Sequence, residues 1–275
     1  MKIFGASVVL VGTIAALTHS VAPNPAIVER LDLAYATDVA REKHRLDVFA
    51  PARARNAPVV IFVHGGDWRE HDRKDYSYLG RSLAGEGFVV VVPSYRLWPT
   101  VNGAQMADDI AHVTAWTLQH AHEYGGRTNS VILSGHSSGA HLVALVALDP
   151  QYLRKYHLSP AVIHGVIAIS GIDDLSYLSG AVAYGAFGRT RNDRWNLSPL
   201  RYVSRDAPPF EIVCAQSDIP LLCTQARIFF LKLRLAGASA EFFMGSGNHN
   251  SEIITAGFPA DRLHLKIVQF VKAHA

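Results

Sequence analysis

The chain has 275 residues, a formal net charge of +3, and 49% hydrophobic against 18% charged side chains. That is enough apolar material for one large α/β domain with its own core, and too much for a disordered chain. The net charge is too small, and its Lys and Arg too scattered, for a nucleic-acid-binding protein. There are 14 histidines, yet none pairs at a metal-ligand spacing. His120 and His122 are two apart on a helical stretch and face different sides, and no H-E-x-x-H or Cys/His cluster occurs, so no metal is expected.

Residues 1–22 differ from the rest of the chain. Met1-Lys2 is a short positive start, Ile3 to Leu17 is mostly apolar, Thr18-His19-Ser20 offers small residues for cleavage, and Pro23 and Pro25 break any helix. This pattern is that of a secretory signal peptide, with an uncleaved N-terminal anchor as the alternative. Residues 23–275 then form a single domain, exported and without stable membrane association after cleavage. The two cysteines, Cys214 and Cys223, read as small buried hydrophobes ahead of a disulfide, although a nine-residue loop is closable in an oxidising compartment.

Leu31–Tyr35 and His44–Phe49 alternate apolar with polar and predict two antiparallel edge strands joined by a charged turn. Val59–Val63 is a continuous β-branched and aromatic run, the pattern of a strand buried on both faces. His64-Gly65-Gly66-Asp67-Trp68 comes directly after it. A helix over 76–86 ends at Gly87, Phe88–Val92 is a second buried strand, and 104–124 is a long helix with Met106, Ile110, Val113 and Trp116 on one stripe. Val162–Ile169 is a further buried strand. Residues 176–196 lose all periodicity and suggest a small lid. Phe210–Ala215 (strand), Leu221–Ala236 (helix), Ala240–Met244 (strand) and Asp261–Ala273 (helix) complete the alternation, which implies one α/β domain with a mostly parallel sheet flanked by helices.

The chain is organised around Val131–Leu142, VILSGHSSGAHL. A short apolar strand runs into Gly135-His136-Ser137-Ser138-Gly139, and a small-residue helix comes next. A serine at such a corner projects its hydroxyl clear of the sheet, and the glycines let neighbouring backbone pass. The new helix aims unpaired N–H groups at the same place. Ser137 is therefore the candidate nucleophile.

A serine hydroxyl needs a base within reach and a group that orients the base. In an elbow fold the acid follows a late strand and the histidine follows the last one. Those positions hold Asp218, in Gln216-Ser217-Asp218-Ile219-Pro220, and His249, in Gly247-Asn248-His249-Asn250. Asp218 can also be read as a helix N-cap ahead of Pro220, with Asp173 and Asp174 as reserve acids. His136 and His141 flank the elbow, and packing or substrate contact is expected of them. Donors for a developing oxyanion come from Ser138 N–H and from the backbone of Gly65 and Gly66.

These residues resemble the α/β-hydrolase superfamily, in its esterase/lipase group with an H-G-G-G-type loop, which includes arylformamidase-like and feruloyl-esterase-like branches. The similarity runs from about Leu46 to the C-terminus, through HGGDW at 64–68, VVPSYRLWP at 91–99, GHSSGAHL at 135–142, SPL at 198–200 and DAPP at 206–209. It implies a Ser137–His249–Asp218 triad, oxyanion donors at Gly65, Gly66 and Ser138, and no cofactor. The expected substrate is a small-molecule carboxylic ester of small to medium acyl length. Amide hydrolysis of an N-formyl aryl amine is the rival, and a non-catalytic binding protein the reading from another class. Asp67 stands where the family's loop has a third glycine, which leaves the substrate open. Oligomeric state is not legible.

Overall fold

The computed structural model describes residues 27–37 and 42–275, so the predicted signal peptide lies outside the described residues. Among the described residues there are eight strands: β1 (Ile27–Ala34), β2 (Arg45–Pro51), β3 (Val59–Val63), β4 (Val89–Pro93), β5 (Val131–His136), β6 (Ile163–Ile169), β7 (Phe210–Ser217) and β8 (Ala240–Asn248). They form one sheet in the order β1-β2-β4-β3-β5-β6-β7-β8. β1 runs antiparallel to β2 and β2 antiparallel to β4, while every later pairing is parallel. The alternating pair predicted at the edge is this β1–β2 hairpin.

Parallel strands must be connected by crossovers, and the crossovers are helices that cover both faces. The main ones are α1 (Ser77–Gly85), α2 (Gly103–His120), α3 (Ser138–Leu148), α7 (Pro220–Ala236) and α9 (Arg262–His274). Side chains of β3 alternate between two cores, as the pleat dictates. Val59, Ile61 and Val63 join Met106, Ile110, Leu142 and Phe229 from α2, α3 and α7. Val60 and Phe62 join Leu79, Leu83, Ile267 and Val271 from α1 and α9. Every residue of β3, β4 and β5 is buried, which accounts for their unbroken apolar runs. Each such Val or Ile contributes about 1.5–3 kcal/mol relative to exposure.

Four short helices escape the periodicity argument. α4 (Pro150–Arg154) follows α3 directly, α5 (Ala181–Phe187) and α6 (Arg191–Trp195) occupy the segment predicted to lack a pattern, and α8 (Ser251–Thr255) follows β8. One or two turns are too few for a 3.6-residue period to show. Among the described residues no helix is long and apolar enough to cross a membrane.

Candidate active site at the strand-to-helix elbow

Ser137 sits between the end of β5 and the start of α3 with φ 54° and ψ −120°, outside the regions L-residues favour. The strain is held from both sides: Ser137 N–H donates to the Ile169 carbonyl at 2.8 Å, and the Ser137 carbonyl accepts from His141 N–H at 3.1 Å. The flanking glycines are required by close approach. A Cβ on Gly135 would lie 2.6 Å from backbone of Gly139, and one on Gly139 would lie 2.2 Å from the Val63 carbonyl. The elbow is wedged between its own helix and the neighbouring strand β3.

His249, in the turn after β8, lies on the open side of the elbow. Its Nε2 is 3.0 Å from Ser137 Oγ and its Nδ1 is 2.8 Å from Asp218 Oδ1. The Asp218 side chain is fully buried whereas the His249 ring is 19% exposed. This fixes the neutral tautomer: Nδ1–H donates to the carboxylate, and Nε2 is left to accept from the serine. Burial pushes the Asp218 carboxyl up, but hydrogen bonds from His249 and Ser170 outweigh it and hold the group below the usual carboxylate range. Ile219 N–H adds a further bond to Oδ1 at 2.7 Å.

The reserve acids are placed elsewhere. Asp173 and Asp174 follow β6, where the two backbone N–H groups share Gln225 Oε1 and the Asp174 carboxylate caps a 3₁₀ turn. Asp218 is no helix cap: α7 starts from Ile219, with no side-chain capping bond.

The loop after β3 is drawn tightly against the elbow. A Cβ on Gly65 would lie 3.1 Å from Ser137 Cβ. Gly66, Asp67 and Trp68 come next with φ of 114°, 52° and 60°, a run of left-handed residues that turns the chain back on itself. The Gly66 carbonyl accepts from both Arg69 and Glu70 N–H, and Trp68 is buried. Asp67 is exposed, with Arg69 at 3.9 Å. Ser138 opens α3, so its N–H has no partner within the helix. Gly65 and Ser138 thus lie against or next to Ser137, while the neighbours of Gly66 are Glu70 and His71 in the turn.

Both histidines flanking the serine are buried supports. His136 Nε2–H donates to the His249 carbonyl at 2.9 Å, which pins the turn that carries His249. His141 accepts from Trp68 Nε1–H at 3.1 Å and donates to the Leu197 carbonyl at 2.8 Å. Burial lowers the first to about 3 and the second to about 4, so both are neutral near pH 7.

The cysteine reading needs correction. Cys214 in β7 and Cys223 in α7 are joined as a disulfide with Cα atoms 5.5 Å apart, inside the range a bridge requires. The turn into α7 is so short that the first helical turn faces back onto the strand end, a proximity the spacing alone did not establish. The closed loop contains Asp218.

His136, His249 and Glu252 each bring one donor atom within 4.8 Å of the others, the spacing of a metal site. Both nitrogens of His249 are already hydrogen-bonded to Asp218 and Ser137, so a metal there would have to displace one of them. Two nearby residues were not legible in the sequence. Ser170, just after β6, and Glu252, in α8, are buried behind Asp218, and no spacing rule points to them.

The strand order, the elbow and the hydrogen-bonded Ser–His–Asp line define an α/β-hydrolase of the esterase/lipase group. Residues 46–233 match the BD-FAE family, and the chain belongs to that family. Esterase LipC of Mycobacterium tuberculosis is 31% identical over 201 residues, covering 66% of this chain and 50% of that protein. Kynurenine formamidase of Drosophila melanogaster is 27% identical over 218 residues, 76% of this chain and 71% of that one. Among solved structures, esterase B from Lactobacillus rhamnosis superposes with a TM-score of 0.78 at 21% identity, covering 91% of this chain and 86% of that chain. The chain spans about half the length of the mycobacterial esterases it matches.

Proposed function

We propose that this protein is a serine hydrolase that cleaves carboxylic esters of small to medium acyl groups through an acyl-enzyme. The observation that carries the reading is the bonded line from Asp218 through both nitrogens of His249 to Ser137 Oγ, at 2.8 and 3.0 Å. His249 Nε2 takes the Ser137 proton as Oγ attacks the ester carbonyl, and the carbonyl oxygen becomes an oxyanion beside the Gly65, Gly66 and Ser138 backbone. Asp218 stabilises the imidazolium without accepting its proton. The imidazolium then protonates the departing alkoxide as the C–O bond breaks. Water, deprotonated by the same histidine, attacks the acyl-enzyme and releases the acid and Ser137. A similar esterase at 31% identity supports the ester as substrate class.

Formamide hydrolysis of an N-formyl aryl amine is the second reading, supported by the kynurenine formamidase relatives. The same groups would serve, with an amine as leaving group. Retention of serine, histidine and acid at the elbow counts against a purely binding role. The apolar N-terminal sequence and the disulfide support export to an oxidising compartment. Detection of a mature chain lacking the first residues in a periplasmic or culture fraction tests that part.

The activity is tested by turnover of p-nitrophenyl acetate, butyrate and octanoate beside N-formylkynurenine, for wild type and Ser137→Ala. Ester turnover that disappears in the variant supports the proposal. Preference for the formamide moves the protein to the second reading. Equal inertness, with no labelling by a fluorophosphonate, sinks both.

A further inference from the structure

Asp218 is not the last acid in its line. Ser170, at the turn after β6, places its hydroxyl against Asp218 Oδ2 on one side and Glu252 Oε1 on the other. Ser170 is completely buried and Glu252 is 1% exposed. Ser170 is also one of the few non-glycine residues with left-handed backbone, at φ 49°, held there by its N–H bond to the Val213 carbonyl at 2.8 Å. A strained serine is kept between two carboxyl groups.

The proton count decides what this cluster is. A hydroxyl has one proton, so it can donate to only one of the two carboxyl groups. If both were ionised, the other contact would set two oxygens bearing lone pairs face to face, with two anions sharing one buried hydroxyl. One carboxyl must therefore carry a proton. Asp218 is the ionised partner, because His249 Nδ1–H and Ile219 N–H also donate to it. Glu252 has no comparable support: its Oε2 is buried without any partner, lying where a Cβ on Gly245 would be 2.8 Å away. The groups facing it are Ser170, Asp218, His136, His249 and, more distantly, Asp261.

We propose that Glu252 is a positioning residue that holds a proton and donates it to Ser170 Oγ, which in turn donates to Asp218 Oδ2. The hydrogen bonds then converge on the Asp218 carboxylate, from Glu252 through Ser170 on one side and from Ser137 through His249 on the other. The inference rests on the proposed reading of Ser137, His249 and Asp218 as a triad. Asp218 would be fixed at both oxygens, by His249 on Oδ1 and by Ser170 on Oδ2, and its second oxygen would not be free to rotate off the imidazole. Burial outweighs the Ser170 bond and, with the Asp218 and Asp261 charges adding to it, raises the Glu252 carboxyl to about 8. The proton is thus present at pH 7 and is lost in mildly alkaline solution. Ionised Glu252 leaves two carboxylates competing for the Ser170 proton, and Asp218 is pushed off its register with His249.

The test compares wild type, Glu252→Gln and Ser170→Gly, together with the double variant. Glutamine keeps a donor and cannot ionise, and glycine accepts the left-handed backbone that alanine would strain. The first readout is melting temperature from pH 5 to pH 9. A carboxyl raised in the folded state stabilises fully below its unfolded value and loses that contribution as pH rises through the folded one, so wild type falls by several degrees relative to E252Q across this range. The second readout is kcat/KM for p-nitrophenyl acetate. Wild type loses about tenfold on the alkaline side and E252Q is level there, while S170G is low throughout and gains no further loss from E252Q. A melting difference that does not change with pH overturns the inference. So does an alkaline loss that persists in E252Q, or full additivity of the two substitutions. A wild-type chain with no turnover overturns instead the triad reading beneath it, and the melting profile still reports separately where the Glu252 proton goes.

Discussion

The Trp68 indole donates to His141 Nδ1 at 3.1 Å, and through that ring the loop after β3 is tied to the elbow helix α3. His141 passes the constraint on to the Leu197 carbonyl, in the segment between α6 and β7, and Phe187 of α5 packs edge-on to both rings. Three separate stretches are therefore locked to one buried imidazole of the elbow helix. Trp68→Phe keeps the aromatic packing but removes the N–H. The loop that carries Gly65 and Gly66 is expected to drift by a fraction of an ångström, lowering kcat about tenfold with little change in KM. Steady-state kinetics on a p-nitrophenyl ester checks this, and a change confined to KM would count against the placement of those donors.

The acid can be assigned by substitution. In Asp218→Asn an amide replaces the acceptor that fixes the His249 tautomer, so kcat is expected to fall roughly 10³–10⁴-fold while the fold persists. Asp173→Asn is expected to change kcat less than about twofold. Burial and the neighbouring Asp174 charge raise the Asp173 carboxyl to about 7, so a neutral side chain there is close to what the fold already tolerates. Equal losses in both variants would make Asp173 a candidate for the acid again.

Much of this architecture was readable because buried parallel strands leave a one-letter trace. Val59–Val63 and Val131–Leu133 are apolar on both faces and needed no periodicity to recognise. Ser137, Asp218 and His249 are candidates in the sequence because an elbow fold specifies which strand ends carry such groups, and the structure brings the three within hydrogen-bond distance. Ser170 and Glu252 were invisible for the opposite reason. A serine after a strand and a glutamate three residues beyond a histidine are ordinary in sequence, and become unusual only when the sheet buries them against the same carboxylate. The sequence leaves the disulfide as an alternative because Cα separation depends on how sharply the chain turns into α7, which no spacing encodes. The short helices α5 and α6 leave no trace in the sequence because their lengths span less than the window that periodicity needs.

The disulfide closes the loop that carries Asp218, which links stability to the site. With a sequence separation of 9, chain-entropy reasoning gives about 2–3 kcal/mol for the bridge. Cys223→Ser is expected to lower the melting temperature by roughly 4–10 °C. It should also weaken catalysis, because the turn holding the Asp218 carboxylate is freed at one end. Wild type in reductant should show the same two changes. Loss of stability with unaltered kcat would mean that Ser170 and His249 hold Asp218 without help from the bridge.

The pH dependence of stability has a definite sign. Burial lowers His64 to about 4, His136 to about 3 and His141 to about 4. Burial raises Asp173 to about 7, Glu211 to about 7 and Glu252 to about 8. Below pH 6.5 the unfolded chain takes up protons at those three histidines that the folded chain refuses, so stability falls as pH drops. Above about 4.5 the folded chain keeps protons on those three carboxyls that the unfolded chain releases, so stability falls as pH climbs. Between about pH 4.5 and 6.5 the two sets oppose each other with equal numbers, and the melting temperature is expected to be nearly level. Above that window only the carboxyls remain, and the melting temperature should decline through pH 7 to 8. Below it the raised carboxyls no longer oppose the histidines, which are joined by Asp72, Asp109 and Asp218, whose hydrogen bonds and ion pairs outweigh burial and lower their carboxyls. Calorimetric scans at half-unit pH steps check the profile. A melting temperature that rises steadily from pH 5 to 8 would show that the buried carboxyls are ionised in the folded chain and that their partners differ from those described.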